Sequence, residues 1–266
     1  MASHEQKLQH SVAIRERLHR LCVRFHFANF NGVRDVMAQS GAIISGSAAL
    51  AILQPQEHWR EPNDVDFYVP RRGLAQILKF ILTHGYDLTV PTLGKGNRSV
   101  STDQAHGNEN YPSRIVLKLA HLASDSRVDI IVPLKNVVEE VTNFHSTVVM
   151  NYITHYGVVS LYPSWTMNGL GMIVRKEAEK NGCIQKYRDR GYTMVNDLSL
   201  LPMGQTSQSL ELQAKRSTFD DETLFIPFDD VILTKSLSTF ETRAFTWTLG
   251  KTCSGGEEEE NNRKVE

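Results

Sequence analysis

The chain has 266 residues, with 29 Lys and Arg against 30 Asp and Glu, for a formal net charge of −1. Its 41% hydrophobic and 22% charged residues lie near the average of folded domains, which excludes wholesale disorder, a collagen-like repeat and a coiled coil. The length supports one or two domains around a buried core, and the balanced charge excludes the global basic field of a dedicated nucleic-acid binder while leaving room for a local basic groove.

Cys22, Cys183 and Cys253 are odd in number, far apart and without a CxxC pair, so neither a zinc knuckle nor a disulfide framework is indicated. They read as reduced thiols of an intracellular protein. No apolar run reaches the roughly 18 residues that a membrane span needs. The opening stretch, MASHEQKLQHSVAIRERLHRL, lacks the apolar core of a signal peptide, and Glu5 and Glu16 argue against a mitochondrial transit peptide. The expectation is an intracellular, cytoplasmic protein with no membrane partner.

In chain order, Ile14, Leu18, Leu21 and Phe25 follow the i, i+4, i+7, i+11 stripe of an amphipathic helix. Residues 1–40 are therefore helices packed on the body. Ala42 to Gly46 is a short β-branched run ending in glycine, and Ser47 to Leu53 continues with a capping serine and strong helix formers. That is a strand, a tight turn and a helix. Pro55 to Pro62 reads as a loop. Val65 to Val69 reads as a strand stopped at Pro70, and Leu74, Ile77, Leu78 and Ile81 mark a helix ending near Gly85. Residues 92–113 hold almost no apolar side chains and form a long loop, a length that compact domains keep mainly for function.

Ile115 to Leu119 and Val128 to Val132 are strands joined by a polar turn around Ser124-Asp125-Ser126. Residues 134–143 read as a helix, Thr147 to Tyr152 and Gly157 to Tyr162 as strands, and 169–190 as one basic helix. The domain layout is then helices at 1–40, a catalytic core at 41–165, a helical part at 166–202, a linker and peripheral segment at 203–250, and an acidic solvated tail at 251–266. There is no internal repeat.

Asp64-Val65-Asp66 is nearly worthless alone, because about three acidic pairs at that spacing arise by chance in a chain of this composition. Its context adds the information. Alternation along a strand puts Asp64 and Asp66 on one face and Val65 and Phe67 on the other. Two adjacent carboxylates repel unless a cation or proton intervenes, and magnesium (or manganese) is the natural partner, bridging carboxylates to substrate phosphates. Asp129 interrupts a run otherwise fit for a buried strand, so it needs a metal, a cation or a strand end. Gly46-Ser47 lies between strand and helix, where backbone amides favour anions.

The order strand, Gly46-Ser47, helix, Asp64-x-Asp66 on the next strand and Asp129 on a later one resembles the polymerase-beta-like nucleotidyltransferase superfamily. The resemblance covers roughly residues 40–135 and includes no recognisable acceptor domain. It implies an α/β (α+β) fold with a small mixed sheet, flanking helices and a helical C-terminal extension. It implies that Asp64 and Asp66 ligate two magnesium ions, that Asp129 ligates the catalytic one and helps activate an acceptor hydroxyl, and that Gly46 and Ser47 hold the phosphates of a nucleoside triphosphate. The implied acceptor is open between RNA, a protein side chain and a small alcohol, and the oligomeric state is open too.

Plainer readings stand beside these. Asp64 could cap the preceding loop, Gly46 could be a turn glycine, and Asp129 could pair with Arg127 or Lys118 as structure alone. Arg175, Lys176, Lys180, Lys186, Arg188 and Arg190 could be a solvated face balanced by Glu177, Glu179 and Asp189, or include a phosphate clamp. Lys95 and Arg98 could close over a triphosphate. No HxxxH, HxH, GxSxG, Walker A or GxGxxG pattern occurs. The competing functional expectation is a catalytically silent scaffold of the same fold that binds nucleotide or protein.

Overall fold

A computed structural model describes residues 4–54, 61–89, 115–180, 182–197, 212, 214–218, 220–228 and 245–249, with side chains from residue 12 onward. The expected loop at 92–113, most of the Pro55–Pro62 loop and the 251–266 tail lie outside the described residues.

Helix α1 (His4–Arg24) and α2 (Phe30–Ser40) open the fold. Asn29 caps α2 by accepting from the Gly32 amide at 2.9 Å, and Gly41 at φ +73° ends it in the left-handed region that glycine reaches without strain. Strand β1 (Ile43–Ser45) runs directly into α3 (Gly46–Leu53), as the sequence leads one to expect. Next come β2 (Asp64–Tyr68), α4 (Leu74–Thr83), β3 (Tyr86–Leu88), β4 (Ile115–His121), β5 (Arg127–Val132) and α5 (Val137–Thr142). Strands β6 (Asn151–Ile153) and β7 (Gly157–Ser160) follow, then α6 (Pro163–Met167) and β8 (Leu170–Met172).

Strands β1 to β7, together with β11 (Leu224–Pro227), build one eight-stranded sheet in the order β11-β7-β6-β1-β2-β5-β4-β3. Every pairing in it is antiparallel except β2 with β5. The fold is therefore a mixed α and β architecture with a mostly antiparallel sheet. None of the described helices is long and apolar enough to cross a membrane.

The sheet's first face carries Ile44, Val65, Phe67, Val128, Ile130 and Leu119 into a core completed by Ile14, Leu18 and Leu21 of α1, Phe25 just after it, Val33 and Met37 of α2, and Ile77 and Ile81 of α4. The helical stripe read from the first 25 residues is thus the packed stripe. Its second face is divided. One row of paired residues (Ile43, Tyr68, Ile131, Val116) is buried beneath Val137, Val138 and Val141 of α5. The row two residues away is polar, and it forms the site described below.

The region expected to be one helix at 169–190 is corrected. It holds β8, α7 (Glu177–Lys180) and α8 (Cys183–Arg188), and β9 (Thr193–Val195) follows it, paired in parallel with β8 as a separate small sheet. The glycines account for the break. Gly169, Gly182 and Gly191 have φ of +69°, +72° and +89°, and a Cβ on Gly171 would fall 2.3 Å from Val148. A continuous helix accommodates none of these. The C-terminal extension is accordingly mixed rather than helical. Within the stretch expected as linker and periphery, β11 is an edge strand of the main sheet, and β10 (Lys215–Ser217) pairs with β12 (Thr246–Thr248).

Candidate functional site

The registers of four adjacent strands place Ser45, Asp66, Asp129 and Lys118 directly opposite one another in a single row. Ser45 pairs with Asp66, Asp66 with Asp129, and Asp129 with Lys118. Directly paired residues share a face, about 4.8 Å apart from strand to strand. Asp64, two residues from Asp66, falls on the same face and pairs with Arg127. The three carboxylates singled out in the sequence therefore do come together on one side of β2 and β5, at the end of the sheet where β1 gives way to α3.

Gly46 sits against this row. Its φ is +67°, and a Cβ there would lie 2.3 Å from Asp66 Oδ2. Only glycine lets the β1–α3 turn approach the carboxylate that closely, so Gly46 is more than a turn residue. Ser47, buried in the first turn of α3, donates from its hydroxyl to Asp64 Oδ1 at 3.4 Å, a long contact. Ser45 is fully buried and donates to the Asn151 carbonyl, which ties the start of the turn to β6.

The charges of the site are unbalanced. Burial pushes the Asp66 carboxyl up to about 7, and the neighbouring carboxylates Asp64 and then Asp129 push it the same way; Lys186 and Lys118 act in the opposite sense. Asp129, with its side chain 19% exposed, is paired with Lys118, whose Nζ stands 3.1 Å from Asp129 Oδ2. That ion pair is one of the structural alternatives open to Asp129 in the sequence. Arg127, the other cation considered there, stands opposite Asp64 in the strand register.

Helix α8 supplies the rest. Lys186 is exposed, acts electrostatically on both Asp66 and His145, and lies 5.9 Å from the centre of the Tyr187 ring. Tyr187 is buried, and burial raises its phenol above the usual range, with Arg190 opposing and Asp66 and Asp64 adding to the rise. Burial pulls His145 down to about 4, Lys186 adds to this, and the His145 Nδ1 is buried without a hydrogen-bond partner. In the sequence Lys186 is one of several basic residues of the 175–190 stretch, and neither Tyr187 nor His145 carries a motif that marks it. The signal in the sequence is the glycine punctuation that breaks this stretch into turns. Lys95 and Arg98 lie outside the described residues.

Among the described residues no set of three or more His, Cys, Asp or Glu side chains is arranged as a metal-binding group. The donor set nevertheless suits a divalent cation. Three carboxylates on one face supply oxygen ligands, and the rise at Asp66 is a repulsion that a bound cation would relieve. Of the three, Asp129 is engaged by Lys118. No family model matches the chain, and no curated protein and no solved structure matches it at a significant level.

Proposed function

We propose that the protein is a nucleotidyltransferase, moving a nucleoside monophosphate from a nucleoside triphosphate to a hydroxyl acceptor with release of pyrophosphate. The observation that carries this reading is the in-register row Ser45–Asp66–Asp129, with Asp64 beside it, at the mouth of the β1–α3 turn. Asp64, Asp66 and Asp129 would hold magnesium or manganese. Bound there, the ions would neutralise charge on the attacking and leaving oxygens of an in-line displacement.

The chain's own residues take up the remaining work. The backbone amides at Gly46 and Ser47 open α3 and offer hydrogen bonds to phosphate oxygens, with the helix dipole aligned to favour them. Lys186, exposed on α8 and within electrostatic reach of Asp66, is suited to the departing pyrophosphate. In the transfer, the acceptor oxygen bonds to the α-phosphorus as the bond to the β-phosphate oxygen breaks. The hydroxyl proton leaves towards Asp129 or water. Ser47 steadies Asp64 through its hydroxyl.

A thermal-shift panel tests this. Wild type and Asp66→Asn each meet ATP, GTP, CTP and UTP with magnesium, manganese or EDTA. A ligand at 100 times its Kd stabilises by about 2.7 kcal/mol. The expected result is a metal-dependent rise with at least one nucleotide, lost in the variant, together with metal-dependent pyrophosphate release. Wild-type turnover by a well-folded Asp66→Asn protein overturns the assignment.

The engagement of Asp129 by Lys118 favours a second reading, a catalytically silent scaffold of the same architecture that binds nucleotide or protein. On that reading the nucleotide shift persists in EDTA and no pyrophosphate is released.

A further inference from the structure

Lys118 occupies the end of the carboxylate row, and its geometry is asymmetric. The lysine side chain is 52% exposed while its partner Asp129 is 19% exposed. Asp129 is fixed by β5, between β2 and β4. Lys118 reaches it from β4 on a flexible four-carbon stem that ends in a compact ammonium rather than the planar fork an arginine would provide. The exposed ammonium is readily rehydrated, so the pair can be given up once another cation reaches Asp129. The register sets Asp129 beside Asp66, yet Asp129 Oδ2 is turned to Lys118, and no three-carboxylate group is formed among the described residues.

We propose that Lys118 is a displaceable counter-ion and positioning residue: it competes with the metal for Asp129 and gives up the carboxylate when a phosphate group of the substrate takes over its ammonium. This rests on the nucleotidyltransferase reading of the same site. It makes Asp129 available to a metal only when an anionic substrate is present. Without the substrate, the ammonium keeps a third negative charge from accumulating beside Asp64 and Asp66. The phosphate that draws Lys118 away then stands next to the carboxylate row, where the transfer takes place.

Binding of Mn2+ to the full chain in the absence of nucleotide, followed by loss of the free-ion electron paramagnetic resonance signal, tests the competition. Lys118→Gln is expected to bind Mn2+ roughly tenfold more tightly than wild type, Lys118→Ala to do the same, and Lys118→Arg to stay near wild type because the cation is kept. Adding Asp129→Asn to Lys118→Gln removes the gain. In EDTA, inorganic tripolyphosphate is expected to bind wild type at least threefold more tightly than Lys118→Gln, because the ammonium is its partner.

If Lys118→Gln and Lys118→Ala bind Mn2+ no better than wild type while Asp66→Asn loses it, the counter-ion role falls and the metal reading stands. Equal tripolyphosphate binding by wild type and Lys118→Gln overturns the hand-over. Failure of wild type and all Lys118 variants to bind Mn2+ overturns the proposal together with the reading beneath it.

Discussion

Asp66 and Asp129 stand directly opposite each other on β2 and β5, which among the described residues are the one parallel strand pair in the main sheet. Because that pairing is in register, the two carboxylates share a face with Asp64 instead of alternating away from it. The cost is visible at Asp66, held up to about 7 by burial and by the two neighbouring aspartates. A carboxyl raised in this way keeps its proton in the folded protein at pH values where the unfolded chain has released it. Folded stability is therefore lost as pH rises from the ordinary carboxylate range through about 7. Asp66→Asn removes that loss. In EDTA at pH 8 the variant is expected to show a higher urea midpoint than wild type, while the proposed nucleotidyl transfer is abolished. A lower midpoint at pH 8 contradicts the repulsion.

Gly46→Ala probes the close approach of the turn to Asp66. The substitution places a methyl group 2.3 Å from Asp66 Oδ2 and holds an L-residue at φ +67°. The backbone penalty alone is about 1–3 kcal/mol. Denaturant midpoints are expected to fall accordingly. Metal affinity should fall with them, because Asp66 has to turn away. An alanine variant with unchanged stability and metal binding contradicts the described turn.

His145 gives a pH dependence of the opposite sign. Burial, with Lys186 in support, brings it down to about 4. The unfolded chain then binds the proton first, so stability is full above the ordinary histidine range and is lost as pH falls from about 6.5 towards 4. The full shift corresponds to about 3 kcal/mol. His145→Gln is expected to lose less stability than wild type between pH 7.5 and 4.5, as read by urea unfolding at each pH. An equal loss in both proteins places the acid sensitivity elsewhere.

Much of the site was legible because it depends on local patterns. The β1–Gly46–α3 turn follows from a β-branched run, a glycine and helix formers. The shared face of Asp64 and Asp66 follows from strand alternation. What a single sequence does not carry is register. Nothing local states that β2 and β5 pair in parallel with Asp66 against Asp129, or that Lys118 falls opposite Asp129 on β4. The 169–190 region failed for another reason. Its charged residues satisfy helical spacing, but Gly169, Gly171, Gly182 and Gly191 outweigh that spacing, and the resulting turns bring Lys186 and Tyr187 within reach of the carboxylates. β3 went unread because Tyr86–Leu88 is too short to show alternation.

Lys186 separates a phosphate partner from a solvated surface charge. It is exposed, so Lys186→Met is expected to leave the melting temperature within about a degree of wild type, as surface changes generally do. On the proposed function, losing one charge-assisted contact to phosphate costs about 1.5–3 kcal/mol, which would raise the KM for nucleotide by roughly tenfold or more. An unchanged KM makes Lys186 a surface charge only.

The C-terminal strands belong to the body of the fold, and Asp220 tests that. Arg216 on β10 is 2% exposed and donates to Asp220 from Nε at 2.7 Å and from Nη2 at 3.0 Å, with Nη2 also reaching the Leu161 carbonyl at 2.9 Å. Its guanidinium lies 4.9 Å from the Tyr162 ring centre and 5.7 Å from that of Trp247, so it joins β10, β12 and the chain after β7. Burial alone would raise the Asp220 carboxyl, yet its hydrogen bonds to Arg216 and the Ser217 amide hold it below the usual range. Asp220→Ala leaves a buried guanidinium without its carboxylate, a change that costs about 3–5 kcal/mol. If residues 203–250 were only peripheral, the same substitution would leave global unfolding unchanged. A single cooperative transition shifted by several kcal/mol is the expected result, measured by chemical denaturation of the full chain. Arg216→Met with Asp220→Leu should recover much of the loss, because the buried charge then leaves together with its partner.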